Sequence, residues 1–207
     1  MNNVCSPIQT IIMHNGGDNT RSKQIVVSDN EAIQIYSYVD KISRNIRLHK
    51  RISKGTYNTI YSFSTHNGKQ DPMLVIRISD KHNKPECINA ELKGIKIQHR
   101  LCNKSNYIGI VVDYGQLIGT GNILLEYSVM ARYGMSVGRM LKKNMKYSSL
   151  KVPLLFTFKF LKAIHTIHKE GYAHLDLKPE NILFQKRPQK KNGEIYNIDF
   201  VIIDYGG

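Results

Sequence analysis

The chain has 207 residues, 41% hydrophobic and 22% charged, so it can bury a substantial core and is not a disordered polymer. Thirty Lys and Arg against 16 Asp and Glu leave a net charge of +14, which favours polyanionic partners (nucleotides, nucleic acid, acidic protein segments or anionic membrane), with Lys-rich compositional drift as the plain alternative. Three cysteines without a C-x-x-C argue against a disulfide framework, Met1–Thr10 lacks the pattern of a signal peptide, and no apolar stretch approaches a membrane span.

Residues 1–24 are polar, with a turn or flexible segment at Asn15–Asn19. Ser28-Asp29-Asn30-Glu31 reads as a capping box, and Ile35, Tyr36, Val39, Ile42 and Ile46 follow at helical spacing, which predicts a helix over Asp29–Ser43. Leu48–Phe63 is β-branched and aromatic with a break at Lys54-Gly55, so two strands and a turn are expected. His66-Asn67-Gly68-Lys69 signals a hairpin, and Met73–Ser79 reads as the next strand. A helix follows Pro85 over Glu86–Cys102. Ile108–Tyr114 and Asn122–Met130 are strand candidates on either side of Gly115–Gly121. Gly134 opens a helical regime: a short helix at Met135–Lys143, then a longer one at Pro153–Glu170 with apolar Leu154, Leu155, Phe158, Leu161, Ile164 and Ile167. Ile182–Phe184 and Phe200–Ile203 are short strands flanking a basic loop, Gln185–Gly193. The hinge between the two halves falls at Ala131-Arg132-Tyr133.

The chemistry concentrates in His174-Leu175-Asp176-Leu177-Lys178-Pro179-Glu180-Asn181 and, downstream, Asp204-Tyr205-Gly206. Phosphoryl transfer needs an aspartate to accept or orient the proton of an attacking hydroxyl. It also needs an amide and a second carboxylate to hold the magnesium that bridges ATP's phosphates. The spacing matches the H-R-D-L-x-x-x-N and D-F-G elements of protein kinases, with Leu175 for arginine and Tyr205 for phenylalanine. A lone H-x-D is an ordinary turn; eight residues in register between a capped helix and a strand are far more specific.

From about Leu48 onward the chain resembles a eukaryotic-type serine/threonine protein kinase. Val129–Ser136 and Gly171–His174 are most similar to the vaccinia-related and casein kinase I group, which also tends to carry Asp-Tyr-Gly. The resemblance implies an α+β, bilobal kinase-like fold with a five-stranded antiparallel sheet, divided as an N-terminal extension with one helix (1–47), an N-lobe (48–133) and a partial, truncated helical C-lobe (134–207). It implies Asp176 as catalytic base, Lys178 beside the transferring phosphoryl group, and Asn181 and Asp204 as Mg2+ ligands. ATP would lie over Ser53, Gly55, Asn58 and Ile60, with adenine against Met130, Ala131 and Tyr133. The glycine loop is eroded, since Ser53 and Asn58 replace two of its three glycines. In the strand Leu74–Ile78, Arg77 occupies the lysine position, where a planar fork replaces a compact ammonium. Its helix partner would be Glu91, with Glu86 as the alternative.

Leu175 removes the arginine that receives an activation-loop phosphate in many relatives. The sequence stops one residue after Asp-Tyr-Gly, without A-P-E. Two functions are therefore expected in competition. The first is an ATP- and Mg2+-dependent protein kinase of minimal size, of serine/threonine type because Lys178 follows the base by two residues. The second is a pseudokinase that binds nucleotide or a regulatory protein partner without turnover. Nucleic acid as partner rests on charge alone, with no motif. The small size, the resemblance to that kinase group and the Asn-, Ile- and Lys-rich composition together suggest a large DNA virus or an AT-rich parasite, and the cysteine usage a cytoplasmic or nuclear location, in the host cell if the chain is viral.

Overall fold

A computed structural model describes residues 32–55, 58–65, 68, 70–79, 85–118, 124–143, 150–185, 189–191 and 194–205. The predicted capping box at Ser28–Glu31 lies outside them. The first half is strands β1 (Ala32–Ser37), β2 (Ser43–Lys54), β3 (Asn58–Thr65) and β4 (Leu74–Ser79), then helix α1 (Pro85–Leu101), then β5 (Val111–Ile118) and β6 (Leu124–Ala131). All pairings are antiparallel, and the six strands close into a barrel in the order β1-β2-β3-β4-β6-β5.

The described part of the predicted helix at Asp29–Ser43 is instead β1 and a turn, and the expected five-stranded sheet has six strands. The reason is a competing period. Ile33, Ile35 and Ser37 alternate inward, while Val39 and Ile42, which supplied the helical spacing, stand 45% and 52% exposed. Ser37 then stops the strand: its hydroxyl accepts from the Val39 and Asp40 amides, and Lys41 adopts φ 65° to bring the chain back into β2. On its other side β1 pairs with β5 through Ile35↔Leu117 and Ser37↔Gly115. A Cβ at Gly115 would sit 1.9 Å from the Tyr36 carbonyl oxygen, so this strand pair requires glycine there. The predicted strand end at Tyr114 was therefore too early: the strand runs through Gly115 to Ile118. Inside the barrel lie Leu48, Ile76, Ile78, Leu117 and Tyr127, each fully buried, and each aliphatic side chain contributes roughly 1.5–3 kcal/mol of transfer free energy.

The helical half carries α2 (Val137–Lys142), α3 (Lys151–Lys169), a 3-10 turn at Pro179–Asn181, and the antiparallel pair β7 (Ile182–Phe184) and β10 (Phe200–Ile202). Between these, part of the expected basic loop forms a second pair, β8 (Gln189–Lys191) with β9 (Glu194–Asn197). Ser136 caps α2 by accepting from the Arg139 amide, and Gly171 at φ 81° ends α3 by turning its own and the Tyr172 amides onto His168 and Ile167 carbonyls. The core here gathers around Phe200, stacked within 4.6 Å of Phe156 and 5.7 Å of Tyr107, with Met140, Ala163, Ile167 and Phe184. Helix α3 faces this core with Val152, Ala163 and Ile167. Leu154, Leu155, Phe158 and Leu161, most of the predicted stripe, point to solvent.

The two halves meet along a backbone seam. The Gly109 amide donates to Ile202 O at 2.8 Å, and the Ile202 amide to Tyr107 O at 2.8 Å. At the hinge the Ala131 amide donates to Ile110 O, Arg132 to Met73 O, and Gly134 to Phe184 O. That seam lays the end of β10 beneath β4 and α1, which creates the site.

Candidate active site

Strand β4 alternates: Ile76 and Ile78 enter the barrel, while Val75, Arg77 and Ser79 point the other way. Over that outer face lies α1, with Ile95 packed on Val75, Val111 and Met130. One turn earlier on α1, Glu91 is 4% exposed and meets Arg77, Oε1 to Nη2, at 2.9 Å. Its other oxygen accepts from the Ser79 hydroxyl at 2.9 Å. The same Nη2 lies 3.3 Å from Asp204 Oδ1. Arg77 thus joins the sheet, the helix and the end of β10, and the expected Arg77–Glu91 pairing is present. The alternative partner, Glu86, has a side chain outside the described residues.

The second cluster lies in the loop after α3. The Asp176 carboxylate accepts from Lys178 Nζ at 2.5 Å and from Asn181 Nδ2 at 3.1 Å. Asn181 is buried, and Nδ2 also donates to the Asp176 carbonyl at 3.0 Å. These bonds hold Asp176's carboxyl below its usual range: first the hydrogen bond from Lys178, then that lysine's charge and the Asn181 amide. The same bond raises the Lys178 ammonium. The clusters are linked because the Ile203 amide donates to Asn181 O at 2.9 Å, setting Asn181 beside the residue that precedes Asp204. His174 is buried; its Nε2 lies 2.9 Å from Ile203 O and its ring 4.5 Å from the Tyr205 ring, where burial pushes the Tyr205 hydroxyl up. Two residues of the site adopt left-handed backbone, Leu175 at φ 62° and Asp204 at φ 68°. An aspartate tolerates this conformation, whereas for leucine it is strained by about 1 kcal/mol.

The protein kinase domain family model matches residues 46–207. The chain belongs to the protein kinase family. Among curated relatives, "Probable serine/threonine-protein kinase clkA" of Dictyostelium discoideum is 25% identical over 184 residues, 75% of this chain and 19% of that protein. "Probable casein kinase I homolog ECU11_1980" of Encephalitozoon cuniculi is 27% identical over 157 residues, 73% of this chain and 43% of that protein. A "non-specific serine/threonine protein kinase" of Drosophila melanogaster is 24% identical over 194 residues, 90% of this chain and 26% of that protein. The kinase chain therefore spans less than half the length of each of these relatives.

Of the residues expected at the kinase site, the structure brings Asn58, Arg77, Glu91 and Asp204 into one contact network, and Asp176, Lys178 and Asn181 into another. Ser53 is exposed on β2, in register with Ile60 on β3. At the hinge Met130 is buried against Val75, Ile95 and Val111, and the Tyr133 hydroxyl accepts from the Ile110 amide at 2.8 Å. An open groove of about 460 Å³ lined by Ala32, Asn45, Arg47, His49, Ser64 and Thr65 shares no residue with either network.

For magnesium, Asn181 spends its amide N–H groups on Asp176, which leaves its oxygen as the hard donor; Asp204 supplies carboxylate oxygen. No group of three His, Cys, Asp or Glu able to hold a metal occurs among the described residues. That donor set fits Mg2+, which commonly takes one or two carboxylates and completes its octahedron with phosphates and water.

Sequence reasoning missed Gln98. It is 2% exposed on α1; Nε2 donates to Gly109 O at 2.9 Å, and Oε1 accepts from the Asp204 amide at 3.0 Å. This one side chain fixes the backbone of Asp204. Its only sequence signal was a polar residue seven positions after Glu91, on the same helix face.

Proposed function

We propose that this kinase domain transfers the γ-phosphoryl group of Mg-ATP to serine or threonine hydroxyls of proteins. The observation that carries the reading is the Asp176 carboxylate held by Lys178 and Asn181, across the seam from the Arg77–Glu91–Asp204 network. In the proposed step the substrate hydroxyl oxygen bonds to the γ-phosphorus as the bond to ADP's β-phosphate oxygen breaks, and the hydroxyl proton passes to Asp176. Asp176 is ionised at neutral pH and orients the hydroxyl more than it pulls the proton, because its basicity is low. Lys178 has three N–H donors, enough to keep Asp176 while contacting the departing phosphoryl oxygens. Arg77 would hold the α/β-phosphates while tied to Glu91. Mg2+ on Asn181 and Asp204 would supply charge neutralisation, and adenine would lie against Met130–Tyr133. Val129–Ser136 and Gly171–His174 support assignment to the casein kinase I and vaccinia-related group, with 134–207 as part of a second lobe.

The test is radiolabelled phosphate transfer from Mg-ATP to a mixed protein substrate, beside a thermal shift with Mg-ATP. Asp176→Asn is expected to lower transfer by about 10²–10⁴-fold. A parent chain with neither shift nor transfer sinks the proposal. A shift without transfer supports the second reading, a nucleotide-binding pseudokinase; the eroded glycine loop and the engagement of Arg77's Nε and Nη2 donors favour it.

A further inference from the structure

The tip of the β2–β3 hairpin departs from the kinase glycine pattern at Asn58, and β4 departs from the lysine pattern at Arg77. In the structure these two departures touch. Set with acceptor against donor, the Asn58 amide oxygen lies 2.9 Å from Arg77 Nη2 and 3.1 Å from Nε. The turn is shaped to allow it. The Gly55 amide donates to Asn58 O at 2.7 Å, and a Cβ at Gly55 would come within 3.0 Å of the Asn58 side-chain amide. The one glycine retained in this loop therefore makes room for asparagine to reach inward.

We propose that Asn58 is a positioning residue, a polar latch that holds the start of β3 on Arg77 and must let go before nucleotide phosphates engage the Nε–Nη2 edge of the guanidinium. This rests on the reading of Arg77 as the phosphate-facing cation. The proton count supports displacement. Nη2 carries two protons, yet oxygens of Asn58, Glu91 and Asp204 stand at 2.9, 2.9 and 3.3 Å. Glu91 is charged, buried and anchored by Ser79. Asp204 is also charged. The neutral amide is the weakest of the three acceptors, so an arriving phosphate takes its place. A lysine has one terminal nitrogen and no counterpart of the Nε–H, so it cannot reproduce the two-point contact.

The test is a double-mutant cycle on the 207-residue chain, read by calorimetric titration with Mg-ATP. Asn58→Ala should tighten Mg-ATP binding on the order of ten-fold in the Arg77 chain, the scale of a hydrogen bond to a charged group. In the Arg77→Lys chain the same substitution should change affinity by less than about two-fold, the margin within which independent sites add. Asn58→Ser keeps a polar turn residue but is too short to reach the guanidinium, so it should behave as Asn58→Ala and exclude a folding artefact. Unchanged or weaker binding in Asn58→Ala, or equal tightening in both backgrounds, overturns the latch. A parent that binds no Mg-ATP in any variant overturns the nucleotide reading instead. The contact is then judged alone by NMR exchange of the Arg77 Nε–H: faster exchange in Asn58→Ala supports it, and unchanged exchange overturns it.

Discussion

The two charged clusters of the site differ in how they are built. Arg77 and Glu91 are 12% and 4% exposed and lie between a sheet and a helix, with several further partners. Asp176 and Lys178 are 41% and 48% exposed on a loop, held by each other and by one buried asparagine. Burial makes the first cluster part of the fold, because a charge stranded there has no water to turn to. Exposure makes the second nearly neutral for the fold, since water screens a solvated ion pair. The proposed base and its lysine are thus separable from the groups that hold the two halves in place.

Asp176→Asn gives the largest effect and the cleanest break: transfer falls by the factor given above, while the melting temperature moves by no more than a couple of degrees. A large loss of stability would show that the exposed loop is structural after all. Glu91→Ala comes next and should act on the fold as well as on transfer. It strands Arg77 and removes Ser79's acceptor, destabilising the fold by about 3 kcal/mol in denaturant titration, with Asp204 keeping the cost from rising further. Gln98→Ala leaves the Gly109 carbonyl and the Asp204 amide without this partner and should cost about 1–3 kcal/mol. If Gln98 positions Asp204, the magnesium concentration needed for half-maximal transfer also rises; a purely structural Gln98 would leave it unchanged.

Lys178→Ala sharpens the contrast through pH. Asp176 is depressed chiefly by the Lys178 hydrogen bond, so the parent keeps its base ionised as pH falls below the ordinary carboxylate value of about 4. The pair's small stabilisation is present above that value and is lost as pH falls through the depressed one. Without Lys178 the acid limb of the transfer profile should move up toward 4. A limb that stays put would assign the depression to Asn181 instead.

The sequence made the second cluster legible, because Asp176, Lys178 and Asn181 lie within six residues and their types are dictated by local chemistry. Helices α1 and α3, strands β3 and β4 and the part of β2 from Leu48 onward were legible from their own periods and caps. The rest needed partners distant in sequence. β1 is six residues long and overlaps a chance helical pattern, and only its pairing with β5, across Gly115, decides the matter. On α3 the helical period was right, but the buried face is the Ala163–Ile167 side, because Phe200 packs there. Gln98 and Asn58 act on residues 106 and 19 positions away; Asn58 was expected at the ATP loop, but nothing local pointed to either one's partner.

Barrel closure bears on how this domain can be cut. The family match begins at residue 46, inside β2 and after β1. A fragment trimmed to that start would keep β5 but lose the strand that occupies its outer edge through Ile35, Tyr36 and Ser37. It would present unpaired amides and carbonyls along β5 and along the remainder of β2, the template by which sheets recruit one another. Such a fragment would precipitate or stack edge to edge, whereas one that begins before Ala32 keeps every strand of the barrel paired on both sides.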